Sequence, residues 1–148
     1  MTATATPTSV NSSIEELRRA AADARDRAYA PYSKFDAGAA VRTTSGAVVT
    51  GSVVENISLG LAMCAERAAL FSTVASGHRP SELLLWAPPT GDDVTMPCGA
   101  CCQVALELGG PDLMVHSVHG KTGEGDLEIV SARLGDLLPR GPYNGTKD

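Results

Sequence analysis

The sequence contains 148 residues, of which 43% are hydrophobic and 20% are charged. These values are typical of one globular domain with a substantial core, and they exclude a disordered or collagen-like chain. The net charge of −5 argues against a nucleic-acid polymer as partner, because phosphates require a basic surface, and favours a small-molecule ligand.

The beginning of the chain is rich in Thr, Ala and Pro and has no hydrophobic periodicity, which predicts a flexible tail at 1–11. This start lacks the basic and apolar regions of a signal peptide. The sequence also lacks a run of about 18 apolar residues, so we expect no membrane span and no membrane partner. We therefore expect a cytoplasmic protein, in which cysteines serve metal binding or catalysis more often than disulfides.

The first predicted element is a helix. Overlapping capping boxes at Ser12 and Ser13 predict its start, and Pro31 predicts its end near Ala30, because the residue before a proline disfavours helical geometry. The apolar stripe of this helix consists of Ile14, Leu17, Ala21 and Ala24. One side of the helix is therefore expected to pack on the core.

A hairpin and a second helix follow. Strands at 38–43 and 47–54 flank a Thr-Ser-Gly turn. The next helix is predicted at 64–75, closed by Gly77. The short run at 81–87 is apolar on both faces, which is typical of a central, fully covered strand.

The rest of the chain continues the alternation of helices and strands. The predicted elements are a helix at 98–108, a strand at 113–118, an extended segment at 126–130 and a short helix at 132–138. We expect a single domain at 12–142 and a loose tail at 143–148. The order of elements predicts a three-layer α/β/α sandwich, with helices covering both faces of a mixed sheet of about five strands.

Two segments contain the candidate metal-binding and catalytic residues. They are Cys64-Ala65-Glu66-Arg67 and Pro97-Cys98-Gly99-Ala100-Cys101. Each places a cysteine at the start of a predicted helix, where free N–H groups and the helix dipole favour the thiolate. The Cys-x₂-Cys spacing lets Cys98 and Cys101 converge on one ion, and Cys64 can supply a third thiolate. Three thiolates are typical of Zn²⁺. The histidines complete no fourth protein ligand, which leaves a position for water, as in catalytic sites.

Glu66 follows Cys64 by two residues, too close to be a comfortable co-ligand but well placed beside a water in the fourth metal position. A carboxylate there can take a proton from water and deliver it to a departing nitrogen. A His-x-Glu or Cys-x-Glu segment followed by Pro-Cys-x₂-Cys is the signature of zinc deaminases.

Short segments spread from Ala28 to Pro139 match one known family in the same order. They are Ala30–Phe35, Gly38–Ala40, Gly51, Val54–Asn56, Ser58, Gly60–Leu61, Cys64–Arg67, Pro97–Cys101, Gln103–Val104 and Leu137–Pro139. On these segments the chain resembles the small three-cysteine cytidine deaminases. The resemblance implies hydrolysis of cytidine or 2'-deoxycytidine to the uridine counterpart, with one zinc ion per subunit. It also implies a homotetramer whose active sites borrow residues between subunits.

The resemblance further implies a role for each matching residue. The zinc ligands would be Cys64, Cys98 and Cys101. Glu66 would shuttle protons and hold the pyrimidine N3, while the Ala65 N–H would meet the base O2. Phe35 would pack near the base, and Glu55 would accept a hydrogen bond from the ribose. Arg67 would partly neutralise the negative charge of the thiolates.

Three positions depart from the family pattern. Val53 occupies a substrate-binding position where the family usually has an Asn, two residues before Glu55. The loss of such a side-chain hydrogen bond typically costs about 0.5–1.5 kcal/mol. Cys102 replaces the usual Arg after the last zinc cysteine, and Pro142, followed by Tyr143, replaces a Phe near the end.

The site residues also have simpler interpretations. A structural zinc site would need Cys102 as a fourth ligand, but adjacent helical residues point about 100° apart, so we expect Cys102 to be a small buried residue. Phe35 could belong to the core, Glu55 could be a solvated carboxylate at a strand end, and Glu66 could be a surface residue stabilised by the helix dipole.

Two functional alternatives stay open from the sequence. Blasticidin-type deaminases share the zinc motifs and act on a cytosine with a modified sugar, a change that Val53 could mark. A zinc-containing binding protein without turnover would keep the cysteines, although such a scaffold has no need of Glu66 as a proton shuttle.

Overall fold

The computed structural model describes residues 6–8, 11–119 and 127–145. The strands of this part are β1 Thr6–Thr8, β2 Gly38–Thr43, β3 Val48–Ser52, β4 Pro80–Trp86, β5 Met114–His119 and β6 Glu128–Arg133. The helices are α1 Ser12–Asp26, α2 Ala65–Ala75, α3 Gly99–Gly109 and α4 Leu134–Leu137, and a 3₁₀ turn spans Leu59–Leu61. None of these helices is long and apolar enough to cross a membrane.

The strands form one mixed sheet in the order β1-β6-β5-β4-β2-β3. Strands β4 and β5 are parallel, and every other neighbouring pair is antiparallel. Helix α1 packs on one face of the sheet, and the residues of α2 and α3 form a second core on the other face. The predicted three-layer α/β/α architecture is therefore confirmed.

Among the described residues the sheet has six strands, one more than the five expected. Strand β1 pairs with β6, so that Thr6 lies opposite Ser131 and Thr8 opposite Ile129. This strand falls within 1–11, where the sequence predicts a tail, because the partner that orders it is more than a hundred residues away. Of that predicted tail, residues 1–5, 9 and 10 lie outside the described residues.

Helix α1 has the predicted apolar stripe but different ends. Its N-cap is Asn11, whose side chain accepts a hydrogen bond from the Ile14 N–H at 2.9 Å, so the predicted caps at Ser12 and Ser13 are wrong. The helix ends at Asp26 rather than near 30. The chain leaves the helix because Tyr29 is held by the segment after β3. The Tyr29 N–H donates a hydrogen bond to the Val53 carbonyl oxygen, and the Tyr29 carbonyl oxygen accepts one from the Glu55 N–H.

Two glycines, Gly38 and Gly51, let helices approach the sheet closely. A Cβ on Gly38 would lie 2.2 Å from the Ala21 carbonyl oxygen of α1, and a Cβ on Gly51 would lie 2.4 Å from the Ala69 nitrogen of α2. The two residues lie in neighbouring strands and face opposite helices. Close approach at Gly51 sets the position of α2, whose first turn carries Glu66.

The C-terminal elements differ from the prediction. Strand β6 runs on to Arg133, and α4 comprises only Leu134–Leu137 instead of 132–138. Backbone pairing of Ala132 and Arg133 with β5 holds these two residues in the strand, against their local helical pattern. Tyr143, in the predicted tail, is partly buried against the core on the α2 and α3 side. Residues 120–126 and 146–148 lie outside the described residues.

Candidate active site

The N-termini of two helices lie close together, and each helix has a cysteine as its N-cap. Cys64 caps α2 and Cys98 caps α3, both in extended geometry and neither with a side-chain capping hydrogen bond. Cys101 lies in the first turn of α3 and is fully buried. The first N–H groups of a helix have no partner within it, so these two starts favour negative charge on the sulfur atoms.

The three sulfur atoms form a set suited to one metal ion. The Sγ atoms of Cys64 and Cys98 are 4.0 Å apart, those of Cys98 and Cys101 are 3.4 Å apart, and all three lie within 4.8 Å of one another. Tetrahedral Zn²⁺ with Zn–S bonds of about 2.3 Å places its sulfur ligands about 3.8 Å apart. The donor set therefore fits zinc.

The fourth cysteine is separate from this set. Cys102 is buried and its thiol donates a hydrogen bond to the Pro97 carbonyl oxygen at 3.6 Å. Burial raises the pKa of Cys102 to about 11, which keeps it a neutral thiol. Cys102 thus occupies the small buried position expected of it, and the alternative of a four-cysteine structural site has no support among the described residues.

Arg67 supplies positive charge to the thiol cluster. Its Nη2 donates a hydrogen bond to Cys64 Sγ at 3.3 Å. Hydrogen bonds from Cys101 and then from Arg67, acting against burial, lower the pKa of Cys64 to about 5. The pKa of Cys101 is raised, first by its hydrogen bond with Cys64 and then by burial. The thiolate form of Cys64 is therefore favoured beside the guanidinium.

Glu66 is buried, with only 4% of its surface exposed. Desolvation, followed by the negative charge of Cys64, raises the pKa of this carboxyl above its usual value. The interpretation of Glu66 as an exposed surface residue is therefore wrong. A buried carboxyl with a raised pKa can carry a proton at neutral pH and also release it, as a general acid and base must.

A cavity of about 150 Å³ opens beside the thiols and Glu66. Its lining residues are Phe35, Ala37, Val53, Cys64, Ala65, Glu66, Leu85, Ala87, Thr95, Met96 and Cys98. The structure thus brings together six of the sequence-predicted site residues around one space. Cys101 is buried beside Cys98 and is not a lining residue, and Arg67 contacts the cluster at Cys64.

Some lining residues carry no signal in the sequence. Thr95 and Met96 reach the wall from the loop before Cys98, and their position directly before the metal-binding segment is the one clue to them. Leu85 and Ala87 lie two residues apart at the end of β4, so strand alternation turns both toward the same side.

Glu55, like Cys101 and Arg67, is a predicted site residue that the cavity wall does not include. Its Oε1 accepts hydrogen bonds from the backbone N–H groups of Tyr32 and Ser33, both at 3.1 Å. Hydrogen bonding from the Ser33 side chain and then from the Ser33 backbone lowers the pKa of Glu55. The carboxylate thus holds the loop that carries Phe35, a cavity residue that is 37% exposed rather than part of the core.

The fold, the three convergent thiols and the buried carboxyl define a zinc-dependent aminohydrolase. The family model "Cytidine and deoxycytidylate deaminase zinc-binding region" matches residues 1–84. A cytidine deaminase of Mycobacterium tuberculosis is 44% identical over 83% of this chain and 84% of that protein. A cytidine deaminase of Halalkalibacterium halodurans is 40% identical over 83% of this chain and 89% of that protein.

Solved structures give the same result. The crystal structure of cytidine deaminase from Burkholderia pseudomallei has a TM-score of 0.72 and 44% sequence identity to this chain. The matched region covers 86% of this chain and 97% of the Burkholderia pseudomallei chain. The chain therefore belongs to the cytidine deaminase family, and the metal that its cysteine cluster holds is zinc.

Proposed function

We propose that the protein catalyses the hydrolytic deamination of cytidine and 2'-deoxycytidine. Water replaces the amino group on C4 of the base, so that the products are uridine or 2'-deoxyuridine and ammonia. The observation that carries this proposal is the buried Glu66 carboxyl, with its raised pKa, which lines the cavity together with Cys64 and Cys98. The relatives named above as cytidine deaminases support the choice of substrate.

Cys64, Cys98 and Cys101 would hold zinc as three thiolates. Zinc held there would supply Lewis-acid chemistry that lowers the pKa of a water molecule. Arg67 offsets part of the negative charge of the thiolates through its hydrogen bond to Cys64. That positive charge keeps the site from repelling the negative charge that develops during attack on the base.

Glu66 would carry out the proton transfers. Its carboxylate takes a proton from water, and its protonated form holds the pyrimidine N3 and then delivers a proton to the departing nitrogen. A group that both accepts and donates works best when its pKa lies near the working pH, and burial shifts Glu66 in that direction. A zinc-binding scaffold without turnover would gain nothing from such a buried carboxyl.

The base itself would be held by groups on the cavity wall. Ala65 is the first residue of α2, and its N–H is one of the helix donors without an intrahelical partner, available to the base O2. Phe35 lines the cavity and would pack against the ring. Glu55 would fix the loop of Phe35, in addition to the ribose contact that the resemblance implies.

The protein would act in the cytoplasm as a homotetramer. None of its four cysteines forms a disulfide, which fits a reducing compartment. Apolar side chains on the segment before Cys64 are unusually exposed, with Ile57 at 82% and Leu59 at 83%. Contact with further copies of the chain would bury them. Light scattering should give four chains per particle, and a monomer would contradict this part of the proposal.

The activity is tested by the ultraviolet absorbance change of cytidine and 2'-deoxycytidine with zinc-loaded protein, and by assay of released ammonia. Glu66→Gln should lower kcat by about 10²- to 10⁴-fold, because it removes the proton carrier. Zinc content and thermal unfolding should stay unchanged. Glu107→Gln makes the same chemical change at an exposed position of α3 and should have no effect. An unchanged kcat for Glu66→Gln would refute the assigned role.

A further inference from the structure

The loop at 88–97, between β4 and α3, has both of its ends at the cavity. Ala87, directly before the loop, lines the cavity, and so do Met96 and Cys98 at its far end. The two ends of the loop therefore carry separate parts of one wall. The cavity has a volume of only about 150 Å³, so a shift of about an ångström in either part alters its fit to a ligand.

Prolines limit how the backbone can close this loop. Pro88 and Pro89 begin it and Pro97 ends it, and a proline has no N–H to donate. The exposed tip closes through the backbone, because Thr90 and Asp93 exchange two backbone hydrogen bonds, at 3.0 and 3.1 Å. The base of the loop has fewer backbone donors, so a side-chain donor takes their place.

Thr95 supplies that donor. Its hydroxyl donates a hydrogen bond to the Pro88 carbonyl oxygen at 2.5 Å, across the base of the loop. A hydroxyl has a single hydrogen to donate. In the contact of 2.7 Å between the Oγ1 atoms of Thr90 and Thr95, Thr90 is therefore the donor. The two hydroxyls form a directed chain from Thr90 through Thr95 to Pro88, in which each bond strengthens the other.

The metal-binding end of the loop has support of its own. The Pro97 carbonyl oxygen accepts a hydrogen bond from the Cys102 thiol at 3.6 Å, and the Cys98 carbonyl oxygen accepts one from the Cys102 N–H at 2.9 Å. Both bonds tie this end to α3. Removal of the Thr95 hydroxyl is therefore expected to release Met96 from the wall while Cys98 keeps its place.

We propose that Thr95 is a positioning residue for the deamination, because its hydroxyl closes the loop at 88–97 and so holds Met96 in the cavity wall. The proposal rests on the proposed function, in which the cavity holds the base. Without the hydroxyl the loop opens in the free protein, and the apparent affinity falls because only the closed fraction binds substrate. Bound substrate meets the closed wall in either case, so the rate of the chemical step stays the same.

Thr95→Val keeps the shape of the side chain and removes its hydroxyl. It should raise KM for cytidine and Kd for uridine, measured by calorimetry, by about 3- to 10-fold, as expected for one lost hydrogen bond. The value of kcat should stay within about twofold, and the zinc content should not change. Thr95→Ser retains the hydroxyl and should restore both KM and Kd, and failure to do so would overturn the inference.

Two further variants make the same chemical change elsewhere. Thr90→Val removes only the first donor of the chain and keeps the bond from Thr95 to Pro88, so its effect should be smaller. Thr44→Val lies at an exposed position of the turn between β2 and β3 and should change neither KM nor Kd. Equal effects of all three valine variants would overturn the inference, and so would unchanged KM and Kd in zinc-loaded Thr95→Val protein.

Nuclear magnetic resonance of isotope-labelled methionine methyl groups measures the wall itself without turnover. In the free protein, Thr95→Val should shift or broaden the Met96 signal and leave that of Met114, in β5, in place. An unchanged Met96 signal would overturn the inference. Loss of zinc, or a fall in kcat with unchanged KM, would also overturn it, because the hydroxyl would then act on the metal site. If the unaltered zinc-loaded protein deaminates neither nucleoside, the proposed function fails, while the Met96 signal continues to report on the loop.

Discussion

The N-terminus of α1 and those of α2 and α3 are built in opposite ways. The Asn11 side chain accepts the Ile14 N–H at 2.9 Å and so satisfies one of the free donors at the start of α1. Cys64 and Cys98 make no such bond at the starts of α2 and α3. A side-chain oxygen completes a helix locally, whereas a cysteine leaves the donors and the positive dipole end to act on thiolates. The difference separates a structural helix start from a functional one.

The two faces of the sheet show the same contrast. On the α1 side, the buried His116 bonds to Ser131 Oγ at 2.6 Å through Nδ1 and to Glu82 Oε2 at 2.9 Å through Nε2. These polar groups satisfy one another across three strands. On the other side, thiols and a carboxyl with shifted pKa values converge on a cavity. Changes on the α1 side should therefore affect stability alone, and changes on the other side should affect activity.

The largest effect is expected at the thiol cluster. Cys101→Ser removes one of three ligands, so bound zinc should fall well below one ion per chain and turnover should fall to background. Cys102→Ser alters the next residue, whose bond to Pro97 a hydroxyl can retain, and should keep both zinc and turnover. Metal analysis and the absorbance assay measure the two properties. Equal loss in both variants would contradict a three-cysteine site.

The two close-approach glycines allow a direct comparison of the faces. Gly38→Ala would push against α1 and Gly51→Ala against α2, in both cases against backbone atoms that cannot easily yield. Each should lower the free energy of unfolding by about 3 kcal/mol, measured by urea denaturation. Only Gly51→Ala should lower kcat of the folded enzyme, because α2 carries the proton-transfer carboxyl.

A smaller effect on stability is expected from the polar network. His116→Leu leaves the hydroxyl of Ser131 and the carboxylate of Glu82 without their shared partner and should cost about 2 kcal/mol of unfolding free energy. His78→Leu, which removes a single bond to the exposed Ser45, should cost much less. Urea denaturation and the absorbance assay should show lower stability with unchanged kcat. A large fall in kcat for folded His116→Leu would contradict the expectation that changes on the α1 side of the sheet affect stability alone.

The sequence predicts those parts of the site that depend on local signals. Cys64 and Cys98 lie beside helix starts that are encoded within a few residues, and the Cys-x₂-Cys spacing brings Cys101 to the same side. The fold class follows from the order and apolar patterning of the elements. Glu66 is buried because α2 packs closely on the sheet at Gly51. The sequence indicates this burial only indirectly.

The parts that sequence analysis misses depend on distant partners. The capping boxes at Ser12 and Ser13 describe a possible start of α1, but Asn11 precedes them and forms the cap. Strand β1 and the last two residues of β6 are fixed by pairing with strands elsewhere in the sheet. Glu55 has its position in the family pattern, yet the loop at 32 and 33 that it holds is visible only in three dimensions.

The smallest effect is expected at the cap of α1. Asn11→Ala removes the acceptor for the Ile14 N–H and should lower the free energy of unfolding by about 1 kcal/mol. Asn11→Asp retains an acceptor and adds a favourable charge at the positive helix end, so it should preserve stability. Neither variant should alter kcat or zinc content, because this helix start lies on the face opposite to the thiols. A change in zinc content with Asn11→Ala would mean that the two kinds of helix start are coupled through the sheet.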